Sequence, residues 1–395
     1  MKVKPKTTAK KAAPVKKTRL AIPENIKLKV WNESGGRCEF RACNEPLWYN
    51  KLTLSNANFG KLAHIIGASE KGPRGGKDSK KLERESTNIM LLCQRCHDEI
   101  DNSFLSKKYP TEFLREMKSE HETRIKSVTE ITHNRKTEIL IFKANIDKRQ
   151  VDISADEAKH TIIKEMYYPK GDGFLLDLTF GKGDGELNYW ELTAEQIEER
   201  IKADIKQKGI GSDKIEHLSI FALAPIPLLV VLGKAISDTY ISKVDLYQRH
   251  RDTQDWHWKN TKDKIPTIKI NKPSKNNLKH KVVLVLSISD YVGKDKFPEP
   301  LKKSTDVFEI TIDSIPNTHF LKNKEQIAEF EKCFREALNE IQLIYGKDKE
   351  VHILPAIPAP IAIKCGMTLL PKKDAPIILY DFNKEHNGMR GVLKI

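Results

Sequence analysis

No stretch of the 395-residue sequence holds the roughly 18 consecutive apolar residues that a membrane-spanning helix needs. The longest apolar run, FALAPIPLLVVLG at 221–233, is interrupted by Pro225 and Pro227. The Lys-rich start has no apolar segment behind it, so no secretory signal and a cytoplasmic location are expected. Cysteine is scarce, with six in the chain. In a reducing compartment six cysteines point to free thiols or metal ligands rather than disulfides. Acid is missing altogether from residues 1–20, MKVKPKTTAKKAAPVKKTRL, which carry eight positive charges and read as a basic, flexible arm over residues 1–22. Strong charge of either sign is also missing from residues 131–395, where 42 Lys and Arg face 38 Asp and Glu. The net charge of +15 is therefore concentrated in residues 1–130, with 27 basic against 16 acidic side chains. That placement fits a nucleic-acid partner for the first third of the chain.

What is present divides the chain in two. PENIKLKVWNES at 23–34 has helical spacing, NFGKLAHIIGAS at 58–69 reads as a short strand entering a loop, and EKGPRGGKDSK at 70–80 is a Gly-rich basic loop. A helix opens near Gln94, and a polar amphipathic helix covers 111–130. These bound a small α+β domain over 23–130. Residues 131–149 are expected to be a linker. From 150 to 395, strand-like runs such as HLSIFALAP, KVVLVLSIS, VFEITID and VHILPAIPAP alternate with helical ones, which argues an α/β sheet.

The second region repeats itself. Pro225, Pro227, Gly233, Leu246 and Tyr247 recur as Pro358, Pro360, Gly366, Leu379 and Tyr380, each pair 133 apart. Self-similarity at a fixed period marks an internal duplication. Each copy runs strand, Pro-x-Pro turn, Gly-containing helix, strand. In open α/β sheets ligands bind beyond the carboxyl ends of the strands, so two facing copies are expected to share one pocket with approximate two-fold symmetry, suited to a pseudo-symmetric ligand such as a cyclic dinucleotide. Within that region LYQRHRDTQDWHW offers Arg249 and Arg251 for phosphates, with Tyr247, Trp256 and Trp258 nearby; stacking on an aromatic is worth roughly 1–3 kcal/mol per base. Pro225, Pro227, Lys170, and Lys364, Gly366 and Met367 of the second copy complete the expected ligand-binding set.

The first region carries metal chemistry. Cys38, Cys43, Cys93 and Cys96 form C-x4-C and C-x2-C pairs, the spacing of a tetrahedral structural zinc. His97 and Asp101, four apart on a helix, share a face and can reach one cation. With His64 in KLAHIIG and Asn88 between the two histidines, residues 36–102 resemble an HNH endonuclease of the ββα-metal type, in the subclass with a four-cysteine zinc knuckle. The resemblance implies His64 as general base, Asn88 as the residue that holds the loop around it, and His97 as ligand of one Mg-type ion, with Asp101 as the expected further ligand. It departs from many relatives in having Ala63 immediately before the base.

Residues 150–395 are similar to the SAVED domain, a fused pair of CARF-like Rossmann-type units that senses cyclic oligonucleotides. The combination resembles the HNH–SAVED effectors of bacterial CBASS anti-phage systems. That resemblance implies a cyclic-nucleotide-activated endonuclease that degrades double-stranded DNA, assembling into dimers to tetramers on ligand binding, with no membrane partner. Two other readings use the same residues. A modification-dependent restriction endonuclease would need a strongly basic C-terminal region, which the chain lacks. A non-catalytic DNA-binding regulator with a nucleotide sensor would leave the grouping of His64, Asn88 and His97 unused.

Overall fold

The computed structural model describes residues 20–395 apart from 103, 148, 180–187, 207–213, 238, 240, 260–264 and 385–386. Most of the expected basic arm, residues 1–19, lies outside the described residues. The chain forms two compact units, Met1–Glu130 and Ile131–Ile395.

In the first unit α1 (Glu24–Glu33) precedes a cysteine-bearing turn and a small hairpin of β1 (Tyr49–Asn50) and β2 (Ser55–Asn56). β3 (Lys61–His64) leads through a loop containing α2 (Ser79–Leu82) to β4 (Ile89–Leu92), which pairs antiparallel with β3 so that His64 lies opposite Ile89. α3 (Gln94–Asp101) follows at once, then α4 (Thr111–Thr129). All four residues of β4 are buried, because α1, α3 and α4 close over it. The core, with Val30, Ile65, Ile89 to Leu92, Ile100 and Leu114, is small. Domains of this size gain much of their stability from a metal or other staple.

The second unit opens with a correction. β5 (Lys136–Ala144) occupies the middle of the expected linker 131–149, and its interior residues are buried. Its apolar run EILIFKA is flanked by charged residues, and the flanks obscured a strand that sits inside a parallel sheet. α5 (Ala155–Lys164), β6 (Tyr168–Pro169), β7 (Phe174–Leu178) and α6 (Tyr189–Ile201) follow, then β8 (His217–Leu223), α7 (Ile226–Ser237) and β9 (Lys243–Tyr247). Among the described residues this first sheet has the order β6-β5-β8-β9, with β7 also paired to β5, and every pairing is parallel.

A second sheet comes from β10 (Ile268–Asn271), β11 (Lys281–Ser287), β12 (Thr305–Ile312), β13 (Val351–Ala356), β14 (Ile377–Asn383) and β15 (Gly388–Lys394). Its order is β10-β12-β11-β13-β14-β15, parallel inside and antiparallel at both edges. α8 (Glu299–Lys302), α9 (Lys324–Tyr345) and α10 (Ala359–Thr368) complete it. α9 starts with a capping box between Asn323 and Gln326, which satisfies its first free N–H groups.

The 133-residue repeat maps onto β8–α7–β9 and β13–α10–β14. α7 and α10 cross at the repeated glycines. A Cβ on Gly233 would stand 1.9 Å from the carbonyl oxygen of Ile363, and one on Gly366 would stand 1.9 Å from that of Val230. The contact is reciprocal, since Ile363 and Val230 are themselves 133 apart. Glycine is needed there because two helix backbones meet with no room for a side chain. The two half-sheets and these helices share one hydrophobic core, from Leu228 and Leu232 to Ile361 and Ala362. Among the described residues no helix is long and apolar enough to cross a membrane.

Candidate functional sites

In the first unit the four cysteines come together. Among the described residues they are the one group of three or more possible metal ligands, with their sulfurs all within 4.8 Å of one another. Cys93 is the N-cap of α3 and its sulfur accepts from the Cys96 N–H at 3.4 Å; the Cys93 N–H in turn donates to Cys38 Sγ at 3.3 Å. Burial pushes the Cys38 thiol up to about 12 when no cation is present. Packed thiols of this kind ionise together when a cation supplies the missing charge. The donor set therefore fits a metal ion bound by four thiolates.

α3 presents a second group of polar side chains on another face. Cys96 points to the sulfur cluster, while His97 and Asp101 line a cleft of about 860 Å³ together with His64, Lys71 and Lys80. His64 is 6% exposed, and its Nε2 lies 2.9 Å from the carbonyl oxygen of Glu83. A carbonyl only accepts, so Nε2 carries a hydrogen, and in the neutral form of the ring the lone pair sits on Nδ1. Asn88 is 1% exposed; its Oδ1 accepts from Ile66 N–H at 2.8 Å, and its Nδ2 donates to the carbonyls of Ile66 and Leu82. It fastens the segment after His64 to the turn at Leu82. His97 Nε2 and Asp101 Oδ2 are 4.0 Å apart, and Asp101 Oδ1 accepts from Arg74 at 2.8 Å. One imidazole and one carboxylate oxygen on the same helix face form a partial ligand set for a hard cation, with the remaining positions left to water or substrate.

The second unit holds a larger cleft, about 910 Å³, at the carboxyl ends of the parallel strands of both half-sheets. Its walls obey the repeat. Ala224, Pro225, Gln248, Arg249, His250 and Arg251 line it from the first half, and the residues 133 further on, Ile357, Pro358, Asp381, Phe382, Asn383 and Lys384, line it from the second. The positions match, Pro225 with Pro358 in identity too, while the side chains at the other pairs differ. Three side-chain atoms of cleft residues, Asn145 Oδ1, Gln248 Oε1 and His250 Nε2, are buried with no hydrogen-bond partner among the described residues. Leaving a polar atom in that state costs roughly 1–3 kcal/mol, so a bound molecule that satisfies it gains accordingly. Burial, aided by nearby Lys259, holds the His250 imidazole below its ordinary range, so the ring is neutral.

Of the expected ligand contacts, Pro225, Arg249 and Arg251 line the cleft. The others are placed elsewhere, for physical reasons. Tyr247 and Trp256 are each 1% exposed and pack on Phe221, so they are core and offer no stacking face. Pro227 is buried in the first turn of α7. Trp258 is half-buried beside His250 and is absent from the cleft wall. Gly366 is the helix-crossing glycine. Lys364 pairs with Glu331 of α9 at 3.4 Å, and Met367 faces α9 with it, away from the cleft. Lys170 sits by Thr137 and Glu138 at the amino end of β5, the opposite end of the sheet. Asn145, Gln248, His250, Asp381 and Lys384 are wall residues that sequence reasoning missed. Carrying the 133-residue offset past Tyr247 to Gln248–Arg251 would have found the last two.

Comparison with known proteins places residues 193–395 in a match to the family model described as SAVED, the SMODS-associated and fused to various effectors sensor domain. Similar solved structures include the Acinetobacter baumannii Cap4 SAVED/CARF-domain containing receptor with the cyclic trinucleotide 2'3'3'-cAAA, at TM-score 0.41 and 13% identity over 81% of this chain and 66% of that one. The same receptor with 3'3'3'-cAAA gives 0.41 and 14% over the same shares, and a further structure of it gives 0.39 and 11% over 80% and 58%. This chain thus spans no more than 66% of the length of those receptor chains. A search of curated proteins finds no match.

Proposed function

Because the chain belongs to the SAVED family, through a sensor domain over residues 193–395, we propose that it is a cyclic-oligonucleotide-activated HNH endonuclease that cuts double-stranded DNA in a CBASS-type anti-phage response in the bacterial cytoplasm. The ligand, a cyclic dinucleotide, lies in the 910 Å³ cleft with its phosphates on Arg249 and Arg251, and its binding drives homo-oligomerisation and turns on cleavage. The single observation that carries the nuclease half is the convergence of His64, His97 and Asp101 on one cleft in a chain that also holds a sensor domain.

The chemistry follows from the residues. His64, with its hydrogen fixed on Nε2 by Glu83, takes a proton through Nδ1 from the water that attacks the phosphodiester. Asn88 keeps that strand end from moving. Lys71 and Lys80 on the cleft wall hold backbone phosphates without reading sequence. His97 and Asp101 would hold a Mg-type ion, whose chemistry is to stabilise charge on the phosphate and the leaving oxygen. Cys38, Cys43, Cys93 and Cys96 bind zinc. Zinc–sulfur bonds of about 2.3 Å put tetrahedral sulfurs ~3.8 Å apart, and Cys43 and Cys93 stand at 4.0 Å.

The test uses the full chain against a panel of cyclic di- and trinucleotides, with thermal shift, light scattering and plasmid cleavage as readouts. One panel member should raise the melting temperature, increase the oligomeric mass and start cleavage. His64→Ala should bind that nucleotide and zinc normally yet leave the plasmid intact. Full cleavage by ligand-free monomer, or a His64→Ala rate within about tenfold of the parent, would overturn the reading, since losing a general base costs roughly 10²–10⁴-fold.

A further inference from the structure

The loop between β3 and β4 does more than cover the cleft. Residues 67–76 fold tightly on themselves, with Gly67 N–H donating to Pro73 O at 3.1 Å, Gly72 N–H to Ser69 O at 2.9 Å, and Gly75 N–H to Gly72 O at 3.0 Å. There is no space for side chains at the two close approaches. A Cβ on Gly67 would be 2.5 Å from Pro73 O, and one on Gly75 would be 2.1 Å from Ser69 O. Between them Arg74 adopts φ +54°, a left-handed conformation that is costly for an arginine. The long cation turns inward, and its side chain is 8% exposed.

There the guanidinium makes contacts to both halves of the site. Nε donates to Ile65 O at 2.8 Å and Nη2 to His64 O at 3.4 Å, on the strand end that bears the base. Nη1 donates to Ile100 O at 2.6 Å and Nη2 to Asp101 Oδ1 at 2.8 Å, on the last turn of α3. The final carbonyls of a helix have no partner within it, and a cation there also meets the negative end of the helix dipole. A guanidinium offers five donors in one fixed plane, which an ammonium cannot copy.

We propose that Arg74 is a positioning residue of the cleavage site, fastening the strand end that carries His64 to the helix end that carries Asp101, and holding the Asp101 carboxylate so that its other oxygen faces His97. The inference rests on the nuclease reading of this cleft. Arg74 touches neither DNA nor ion; it fixes the distance between the groups that do. Outer-shell partners of this kind change metal affinity by about 10–100-fold when removed. Displacing a reacting group by about 1 Å costs on the order of 10²-fold in rate.

The experiment compares the full chain with Arg74→Ala, Arg74→Lys, Asp101→Asn, the double variant Arg74→Ala/Asp101→Asn, and His64→Ala. Melting temperature and zinc per chain report folding. Calorimetric titration with Mn²⁺ alone, without DNA, reports the ion site. Plasmid cleavage is read with Mn²⁺ and a mixture of cyclic di- and trinucleotides. Arg74→Ala should keep its zinc, bind Mn²⁺ about tenfold more weakly, and lose roughly 10²-fold in kcat with KM for DNA unchanged. Added guanidinium should restore part of that loss, and Arg74→Lys should not restore it. The double variant should be no worse than the more severe of the two single variants, because the two residues act as one unit. If Arg74→Ala does not fold, Arg74→Lys, which keeps the charge, should show the same weakened Mn²⁺ binding in a folded chain. Parental Mn²⁺ affinity and cleavage in the folded Arg74 variant, or additive losses with Asp101→Asn, overturn the inference while His64→Ala remains dead. Cleavage by His64→Ala at the parental rate instead brings down the nuclease reading, and this inference with it.

Discussion

Replacing Gly366 with alanine tests the architecture at its tightest point. The new Cβ would stand 1.9 Å from Val230 O and 2.7 Å from Lys234 N, both backbone atoms of α7. Carbon–oxygen contacts settle near 3.3–3.6 Å, so α7 and α10 must part locally by roughly 1.4 Å. They have little freedom to do so, because Leu228, Leu232, Ile361 and Ala362 are all fully buried against both sheets. Overpacking of this kind costs about 1–3 kcal/mol or more. Alanine's better helix propensity returns up to ~1 kcal/mol. The net loss should be about 2 kcal/mol, which for a unit of this size lowers the melting temperature by roughly 4–8 °C. Gly233→Ala should behave alike, since its Cβ meets Ile363 O at the same 1.9 Å. The double variant should cost less than the sum, as helices already parted accommodate the second methyl. Differential scanning calorimetry of the full chain, following the transition of residues 131–395, gives the answer. A melting temperature unchanged within 1 °C, or strictly additive effects (thresholds set against ordinary independent-site behaviour), would refute the reciprocal crossing.

Cys93→Ser should release the metal and destabilise residues 23–130 as a unit, because the small core of that unit depends on the ion; one metal per chain with an unchanged melt in mass spectrometry and calorimetry would contradict this. Arg249→Ala and Arg251→Ala should each weaken cyclic-nucleotide binding by roughly 10–100-fold in titration calorimetry, the value of one charge-assisted hydrogen bond, whereas Lys170→Ala, at the far end of the sheet, should leave binding unaltered. Stability should fall on acidification from pH 7.5 to 5.5. Burial holds the His250 and His352 imidazoles below their ordinary range in the folded chain, so the unfolded chain takes up protons first, near pH 6.5. A depressed folded-state pKa contributes stability that is present above the unfolded value and lost as pH falls. His352→Gln should flatten part of that slope in thermal melts, and an unchanged slope would count against it.

What could be read from sequence was what is encoded locally. Ligand spacing in Cys38, Cys43, Cys93 and Cys96 survives folding because each pair belongs to one turn, and His97 and Asp101 share a face because four residues make one helical turn. α3, α4, β8 and β13 were legible for the same reason. Properties that depend on distant partners were not. Gly233 and Gly366 mark the repeat, and the expectation that Gly366 meets a ligand fails because nothing local says that the group against it is another helix. Trp256 and Trp258 beside two arginines read as stacking faces, but the burial of Trp256, like that of Tyr247, depends on Phe221, which lies on a neighbouring strand. Lys170 was assigned to the cleft because its position at the amino end of β5 follows from strand pairing alone. Arg74 in a Gly-rich basic loop read as one more surface cation, and only its left-handed backbone and its contacts to residues 64, 65, 100 and 101 show otherwise.

The repeat separates scaffold from surface. At several inward-facing pairs the two halves carry the same residue, Gly233 with Gly366, Leu246 with Leu379, Tyr247 with Tyr380, and at others, such as Leu228 with Ile361 and Val230 with Ile363, they keep only the apolar character that packing requires. At the cleft Pro225 matches Pro358, but the pairs at the carboxyl ends of β9 and β14 differ: Gln248 opposes Asp381, Arg249 opposes Phe382, His250 opposes Asn383, and Arg251 opposes Lys384. Two guanidiniums stand on the β9 side. On the β14 side a carboxylate and an exposed phenyl ring stand with one ammonium, which Asp147 already engages at 2.7 Å. The cleft is therefore two-fold in backbone and one-sided in charge. On the proposed function, anionic groups of the ligand would be drawn to Arg249 and Arg251, so that the duplicated fold supplies the shape of the site while the unlike loops supply its chemistry.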